Sequence, residues 1–390
     1  MDNDFPKVRS RLVTRAELAQ VPRWTRAFAD QRKDHRYYEI VEDTIRGFDY
    51  RYIVVADAGG TVRAVQPCFV LDQDLLQGAG RGIAGFAARL RRYWPRFLYL
   101  RTLMVGCAAG EAHIDADAAS APAAMALLAP AIPALARELD APLIVLKEFP
   151  ARYRAALACF LRAGFTCIPS MPTTSVSIAY PSFDDYMSRA LSSKTRKDLR
   201  KKFRAAEKSA SIAMSAVADI GAVIDDVYPL YLRVYERAKL RFERLSKDYF
   251  CRLGREMPDK VRFFVWRQDG RIVAFALCMI EGDAIYGEYL GLDYAVALEL
   301  HLYHYVFRDV ASWAIANGFK SLGTGGLNYD PKLHLKCRLD PLDLYVKHTS
   351  PLFNVLLKRL LPLLEPTRQE TILRKFANYD ELWNRRSEVR

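Results

Sequence analysis

A pattern that occurs twice is the feature that most constrains the fold. Residues 51–69 read RYIVVADAGGTVRAVQPCF, and residues 262–279 read RFFVWRQDGRIVAFALCM. Each begins with a basic residue and a β-rich run, passes a glycine-containing turn at 57–60 or 268–270, and ends in a second β-rich run. The sequence therefore predicts one β-hairpin in each half of the chain.

The segments that follow the two hairpins come in a similar order. After the first we expect a helix at about 120–139, a strand at 142–149, a helix at 151–163 and a β-rich tail at 165–180. After the second we expect a helix at 296–317, a short strand at 319–323, a glycine-rich loop and a strand at 343–348. This order predicts an α+β protein of two tandem domains, each a mixed central sheet flanked by helices. The expected domains are 1–181 and 182–349, followed by a helical extension at 350–390.

For three basic or apolar segments, the sequence does not decide what each one contacts. Residues 182–210 have a helical period and carry eight Lys or Arg against two acids between 194 and 208, which is typical of a solvated helix face or of a phosphate- or nucleic-acid-binding helix. Residues 77–96 are glycine-rich, then basic and aromatic, and suit a surface insertion with Trp94 packed down or an interfacial helix on anionic lipid. Residues 350–366 predict an amphipathic helix that packs on the core, with membrane contact as the alternative.

The net charge of +13 limits the partners more than it limits the fold. It suits a coenzyme phosphate, an acidic acyl carrier protein, a tRNA or an anionic lipid head, and equally a basic surface with no single ligand. We find no uncharged apolar run of about 18 residues, so we expect no transmembrane segment. The N-terminus lacks the apolar core of a signal peptide, so we expect a cytoplasmic protein, with peripheral membrane contact left open.

The strand predicted within 283–294 contains the first candidate for chemistry. Strand alternation places Tyr286, Glu288 and Leu290 on one face, with Tyr289 and Gly291 on the other. A carboxylate inside an apolar strand is costly to bury unless it is paired or used. Glu288 is therefore a candidate general base, and a structural ion pair with a nearby Arg or Lys is the alternative.

Two further clusters follow that strand. His301 and His304 share one helical face and could move protons, although packed helix residues are the simpler interpretation. No third ligand is spaced to complete a metal site with them, and we predict no metal. The stretch 321–341 has glycines that allow close backbone approach and a crowd of polar side chains. Its candidates are Gly323, Gly325, Gly326, Asn328, Tyr329, Lys332, His334 and Lys336.

Residues 182–348 resemble the FemAB-like and BioF2-like (CelD-like) branch of the GNAT acyltransferase superfamily. The matching pieces are LSSKTRKDLRKKFR, LYLRVYERAKLRF, VWRQDGRIVAFAL, IYGEYLGL and LHLYHYVFRDVASWAIANGFKSLGTGG. The resemblance implies two GNAT-like domains, the first degenerate, and a sheet whose two middle parallel strands splay apart. An extended acyl-donor arm then pairs with the exposed strand edge.

The resemblance also implies an activity, the transfer of an acyl group to a small-molecule or lipid-linked amine. The co-substrate is an acyl-CoA or an acyl carrier protein thioester, with no metal. By position, Glu288 is the base or water-positioner, Tyr329 the acid, and Lys332 or Lys336 the group that holds an oxyanion or donor phosphate. The remaining polar and glycine candidates, together with Tyr286, Tyr289, Gly291, His301, His304, Arg196 and Arg200, are assigned to substrate or donor binding.

One departure from the family pattern concerns the donor. Many GNAT enzymes bind the coenzyme A pyrophosphate at a glycine-containing loop before a helix, but this chain reads LDYAVALE after Gly291, with Asp293 adding a negative charge. One alternative is therefore FemAB-type, aminoacyl-tRNA-dependent transfer to a cell-wall or lipid-linked precursor. Another is a non-catalytic scaffold that binds nucleic acid or a protein partner.

Overall fold

The computed structural model describes residues 9–57, 59–74, 85, 89–97, 99–116, 119–238, 242–363 and 365–383. Much of the segment 77–96 lies outside these residues. The strands are β1 Arg9–Val13, β2 Asp49–Ala56, β3 Val62–Asp74, β4 Tyr99–Val105, β5 Leu143–Pro150, β6 Thr166–Pro169, β7 Thr173–Ser177, β8 Ile212–Val217, β9 Val261–Gln268, β10 Arg271–Glu281, β11 Ala284–Leu292, β12 Ser321–Gly325, β13 Arg338–Asp340 and β14 Leu342–His348. The helices are α1 Arg15–Leu18, α2 His35–Thr44, α3 Ala121–Glu138, α4 Arg154–Arg162, α5 Phe183–Ala190, α6 Ser193–Ser209, α7 Ile224–Arg237, α8 Lys247–Glu256, α9 Leu302–Ala316, α10 Tyr329–His334, α11 Pro351–Leu360 and α12 Tyr379–Trp383.

Both predicted hairpins are present. β2 pairs antiparallel with β3, and β9 pairs antiparallel with β10. In the second turn Asp269 and Gly270 both have positive φ, at 49° and 82°, which is the backbone that joins two twisted strands through a two-residue loop. Glycine and aspartate tolerate this conformation better than most residues, so the sequence at this turn fixes where the strands reverse.

The strands form two seven-stranded mixed sheets, in the orders β1-β2-β3-β4-β5-β14-β6 and β13-β7-β12-β11-β10-β9-β8. Each sheet therefore contains a strand from the other half of the chain. β14 lies between β5 and β6 in the first sheet, although we expected residues 343–348 to follow the strands of the second half. β7 precedes residue 182 and lies between β12 and β13 in the second sheet. Chain order does not specify which sheet edge an antiparallel strand joins.

In the described part of the chain, the sheets and helices build five layers around three apolar cores. The central core lies between the two sheets, where α2 from the first half packs on α8 from the second, and α8 packs on α7. Within it the hydroxyls of Tyr37 and Tyr249 are 2.9 Å apart, and Tyr37 also donates to the carbonyl of Ala109 at 3.1 Å. Helices α5, α6 and α9 cover the outer face of the second sheet, and α3 and α4 cover the outer face of the first.

Two predicted helices differ in the structure. The helix expected over 182–210 is divided at Leu191, because the side chain of Ser192 accepts a hydrogen bond from the backbone of Thr195 and starts a new helix, α6. The C-terminal helix α11 was expected to pack on the core; Leu357 does contact the central core, but the other residues of the helix are exposed or half-buried. Within the described part of the chain, no helix has the length and apolar character needed to cross a bilayer.

Candidate functional site

The parallel strands β11 and β12 separate in the middle of the second sheet. Their register runs from Ala284–Ser321 to Tyr286–Gly323, whereas β11 continues to Leu292. On its other side β11 stays paired with β10 along its whole length. The splay implied by the resemblance is thus present, and among the described residues no strand pairs with β11 beyond Tyr286 on the β12 side.

A β-bulge lies at the start of this splay, and it interrupts the strict alternation of side chains that we expected. Leu277 is aligned with Tyr289, and the next residue, Cys278, is aligned with Gly287, so Glu288 is an extra residue on β11. Because of the bulge, Glu288 and Tyr289 both face the central core, as Tyr286 does. Leu290 points the other way, into the outer core, and not to the side of Glu288 as alternation predicted.

The carboxylate of Glu288 lies in a nearly enclosed ion-pair cluster. Arg32 donates from Nε to Glu288 Oε1 at 2.8 Å, and Lys33 Nζ lies 3.8 Å from Glu288 Oε2. The exposed fraction of the side chain is 11% for Glu288, 7% for Arg32 and 0% for Lys33. Burial opposes ionisation of Glu288, but the charges of Lys33 and Arg32 outweigh it and hold the pKa below its ordinary value. The ion pair that we kept as the alternative is therefore present, and a role as base stays a prediction.

The cluster is completed by residues of the first half. Glu111 pairs with Arg32 and accepts from Lys33 Nζ at 2.9 Å. The guanidinium of Arg32 also lies 3.8 Å from the ring centroid of Tyr286. Burial lowers the pKa of Lys33 and lowers that of the neighbouring His113 well below its ordinary value. The segment 31–33 and the loop at 110–113 thus hold the catalytic candidate of the second half in place.

A second polar group lies beside the first. Tyr289 donates to Glu243 Oε1 at 2.8 Å, and burial raises the pKa of both residues. Lys147 of the first half pairs with Glu148 and donates to the carbonyl of Gly110 at 3.0 Å. The two halves of the molecule therefore supply charged groups to both sides of the Glu288–Tyr289 bulge.

The predicted glycines make room for protein atoms. A Cβ on Gly291 would overlap the Phe275 ring on β10 and would lie 2.9 Å from the backbone carbonyl carbon of Leu230, so this glycine lets α7 pack close to β11. A Cβ on Gly323 would lie 2.6 Å from Tyr286 Cδ1, so this glycine admits the Tyr286 ring. Both positions require glycine for packing, whatever binds nearby.

Tyr329 and Lys332 have partners on the loops around β12. Tyr329 is buried and donates from its hydroxyl to the carbonyl of Pro172 at 2.7 Å. Lys332 is 3% exposed and donates to the carbonyls of Gly325 and Gly326 at 2.9 and 3.0 Å. Burial lowers the pKa of Lys332 to about 8. In this structure both side chains hold the end of β12, and their assigned chemistry stays a prediction.

Other predicted site residues lie away from Glu288. His304 is 3.4 Å from Lys202 on α6, and its pKa is lowered to about 4, first by burial and then by the Lys202 charge. Arg196 donates to the carbonyls of Ser188 and Leu191, at the end of α5. These contacts, together with His301 at the start of α9 and the exposed Arg200, belong to the outer helix layer. Asn328, His334 and Lys336 are exposed.

A groove of about 630 Å³ also lies on this outer face, between α5, α6 and α9. Arg200, Arg204 and Arg308 are among its lining residues.

The sequence pointed to Glu288 but missed the residues that hold it. Arg32 and Lys33 belong to the run QRKDH, which looks like any charged turn before an amphipathic helix. Glu111 carried a usable signal, because it interrupts the apolar run VGCAAGEAHI in the same way that Glu288 interrupts its strand.

Comparison with known families matches residues 108–328 to the FemAB-like family, described as acting in peptidoglycan biosynthesis or recognition. The match covers more than half of the chain and includes the loop of Glu111, the bulge and the splay. The chain belongs to the FemAB-like family. No curated protein sequence matches it significantly.

Solved structures show the same fold at low sequence identity. The chain is similar to FemX, with 14% identity, a TM-score of 0.51, and coverage of 86% of this chain and 96% of FemX. It is also similar to the C-terminal domain of a putative lysylphosphatidylglycerol synthetase from Agrobacterium fabrum, with 13% identity, a TM-score of 0.50, and coverage of 81% and 88%. A third similar structure is L-PGS from Bacillus licheniformis, with 13% identity, a TM-score of 0.50, and coverage of 83% of this chain and 95% of L-PGS. Family and fold together support acyl or aminoacyl transfer in general and leave the donor open.

Proposed function

We propose that this protein transfers an acyl group from a thioester donor to an amine at the splay between β11 and β12. The observation that carries the proposal is the end of the β11–β12 register at Tyr286–Gly323, directly beside the bulge at Glu288. Beyond that point β11 offers backbone groups to an extended donor arm, which can pair with them as an added strand would. The donor carbonyl then lies beside the bulge.

The bulged backbone supplies the electrostatic part of the reaction. The amine nitrogen attacks the donor carbonyl, the new C–N bond forms, and the C–S bond breaks when the tetrahedral intermediate collapses. The oxyanion of that intermediate needs hydrogen-bond donors that are in place before the reaction. In this proposal they are the backbone N–H groups of the bulge at residues 288 and 289. The proton lost by the amine leaves with the thiol.

Glu288 acts on the amine in this proposal. Its low pKa keeps it ionised at neutral pH, so it accepts a hydrogen bond from the amine or from a water that carries the proton away. Arg32 and Lys33 fix its direction, and Lys332 and Tyr329 position the end of β12. We therefore assign Lys332 and Tyr329 as positioning residues of the splay.

Aminoacyl transfer from tRNA is the second candidate, and two observations favour it. The outward face of α6 exposes Lys194, Lys197, Lys201 and Lys208, a surface suited to a nucleic-acid backbone. At the place of a pyrophosphate loop, Asp293 is fully buried and paired with Arg233 and Arg271. Asp293 also accepts a hydrogen bond from the backbone N–H of Ala295, so a group that a pyrophosphate would bind at this turn is already taken.

A donor panel tests both candidates. Purified protein is incubated with an amine panel, including lipid-linked amines, and with labelled acyl-CoA, acyl carrier protein thioester or aminoacyl-tRNA; products are read by mass spectrometry. We expect turnover with one donor class, and tRNA dependence would show as steep loss of binding with salt. Turnover with none, together with nucleic-acid binding that charge reversal at Arg200, Lys201 and Arg204 abolishes, would instead establish the scaffold.

The matched variants are Glu288→Gln and Glu281→Gln. Glu281 also pairs with Arg32 but lies at the far end of β10, away from the splay. We expect Glu288→Gln to lower kcat by about 100-fold, as loss of a proton-transfer group does, and Glu281→Gln to leave it within about threefold. Equal losses in both would show that these carboxylates act only through Arg32.

A further inference from the structure

The C-terminal helix α11 presents an apolar surface to solvent. The exposed fractions are 83% for Leu352, 61% for Phe353, 55% for Val355, 52% for Leu356 and 43% for Leu360. The helix is held by its other side: Asn354 donates to the carbonyl of Gly164 at 3.0 Å and accepts from the backbone of His348 at 2.9 Å. An anchored helix with a contiguous exposed apolar face of this kind marks an interaction surface.

A second exposed apolar group lies at the same end of the first sheet. Tyr93, Trp94 and Tyr99 are 81%, 64% and 38% exposed. In the sheet, Leu143 is aligned with Thr102 on one side and with His348 on the other, so the start of β4 and the end of β14 lie together. Tyr99 comes just before that point on β4.

α11 begins just after that point on β14, so aromatic rings and an aliphatic helix share one end of the molecule. We call this end, formed by residues 89–97, 99–101 and 351–360, the apolar-basic face.

The same face carries a surplus of positive charge. Arg89, Arg92, Arg96, Arg101, Lys358 and Arg359 are exposed. Burial and the neighbouring charges of Arg137 and Lys358 lower the pKa of Lys347. Glu138 and Asp140 are exposed near this end, and Asp74 is paired with Arg91. Cations therefore outnumber acids around the apolar residues.

We propose that the apolar-basic face docks on the surface of a bilayer that contains anionic phospholipid. Tryptophan and tyrosine side chains favour the interface between headgroups and acyl chains, and an amphipathic helix buries its apolar face at the same depth. Arginine and lysine around it add electrostatic attraction to an anionic leaflet. A second copy of this chain fits less well, because two such faces would bring like charges together. The inference does not depend on the reaction proposed above.

Vesicle binding tests this with the full-length protein. Phosphatidylcholine vesicles with and without 30% phosphatidylglycerol are sedimented with the protein at low and physiological salt. We expect binding to the anionic vesicles, weakened by salt, and at least tenfold weaker binding for Leu352→Ser/Phe353→Ser/Leu356→Ser. The matched control is Leu298→Ser, since Leu298 is 85% exposed on the loop before α9. All these side chains are exposed, so unchanged far-UV circular dichroism is expected throughout.

Two charge-reversal variants distinguish binding through this face from binding through the general positive charge of the protein. Lys358→Glu/Arg359→Glu should weaken binding to anionic vesicles several-fold more than Lys194→Glu/Lys197→Glu, which makes the same change on the exposed side of α6. Equal losses in the two variants would overturn the proposal. So would the absence of vesicle binding, or a dimer in sedimentation velocity that the triple serine variant dissociates.

Discussion

Arg32→Met removes the central cation of the buried cluster and should destabilise the protein strongly. The substitution keeps most of the apolar volume but leaves Glu111 and Glu288 with Lys33 as their remaining close cation. Removing one partner of a buried ion pair costs about 3 to 5 kcal/mol, because the other charge stays buried without compensation. We expect a loss of that size in urea unfolding, followed by circular dichroism and by tryptophan fluorescence.

The loss should depend on pH, and the sign follows from the pKa of Glu288. In the wild type that pKa is below the unfolded value, so the stability from Glu288 is present above about pH 4.3 and is lost as the pH falls through the folded pKa. In Arg32→Met one of the opposing charges is gone, and burial raises the pKa of Glu288. Protonation of Glu288 then removes the cost of burying an unpaired charge. The loss in free energy of unfolding relative to wild type should therefore be larger at pH 8 than at pH 5.

Two further variants make the result specific. Arg32→Met/Glu288→Gln should be less destabilised than the sum of its single variants by about 1 kcal/mol or more, since the two side chains are in contact. Arg63→Met is the matched control, because Arg63 pairs with Asp57 at the first hairpin and both side chains are partly exposed to solvent; such pairs are worth about 1 kcal/mol or less. Additive losses that are equal at pH 5 and pH 8 would refute the reasoning.

Three other perturbations follow from single contacts. Gly291→Ala should lower the melting temperature through a loss of about 1 to 3 kcal/mol, because its Cβ would overlap the Phe275 ring; an unchanged melting temperature would contradict this. The free energy of unfolding of Lys332→Met should fall further below that of the wild type between pH 8 and 10, by up to about 1.4 kcal/mol per pH unit. The cause is the lowered pKa of Lys332, because of which the unfolded wild type binds more protons than the folded protein in this range. A difference in urea midpoints that stays constant over this range would argue against a buried amine. Tyr37→Phe loses two buried hydrogen bonds, and Tyr249→Phe loses one, so hydrogen exchange should show the larger loss of protection in the former.

The sequence predicted much of the fold because local signals agreed with the tertiary structure. The hairpins β2–β3 and β9–β10, the helix at 121–138 and the strand at 143–150 all follow from periodicity and turn residues. Sheet membership did not follow. β7 and β14 carry ordinary strand patterns, and the edge that each strand joins is decided by packing between the halves, which a local pattern does not record.

The candidate site could be predicted only as a position along the chain. Glu288 was found because a carboxylate in an apolar strand is conspicuous, but the direction of its neighbours depended on a bulge that alternation cannot reveal. Tyr329 and Lys332 had residue types suited to catalysis, and the structure gives both of them backbone carbonyls as partners. Side-chain chemistry is visible in a sequence, whereas what already satisfies it is not.

The exchange of strands gives the first half a direct part in the site. β7 is the antiparallel partner of β12 on the side away from the splay, so it fixes the strand that must stand apart from β11. Arg32, Lys33 and Glu111 fix the carboxylate on the other side of the opening. If the first half were only a degenerate copy, its removal would leave the splay intact; here it would remove both the wall behind β12 and the charges that orient Glu288. The geometry of the proposed transfer therefore belongs to the two halves together, and each can act only in the presence of the other.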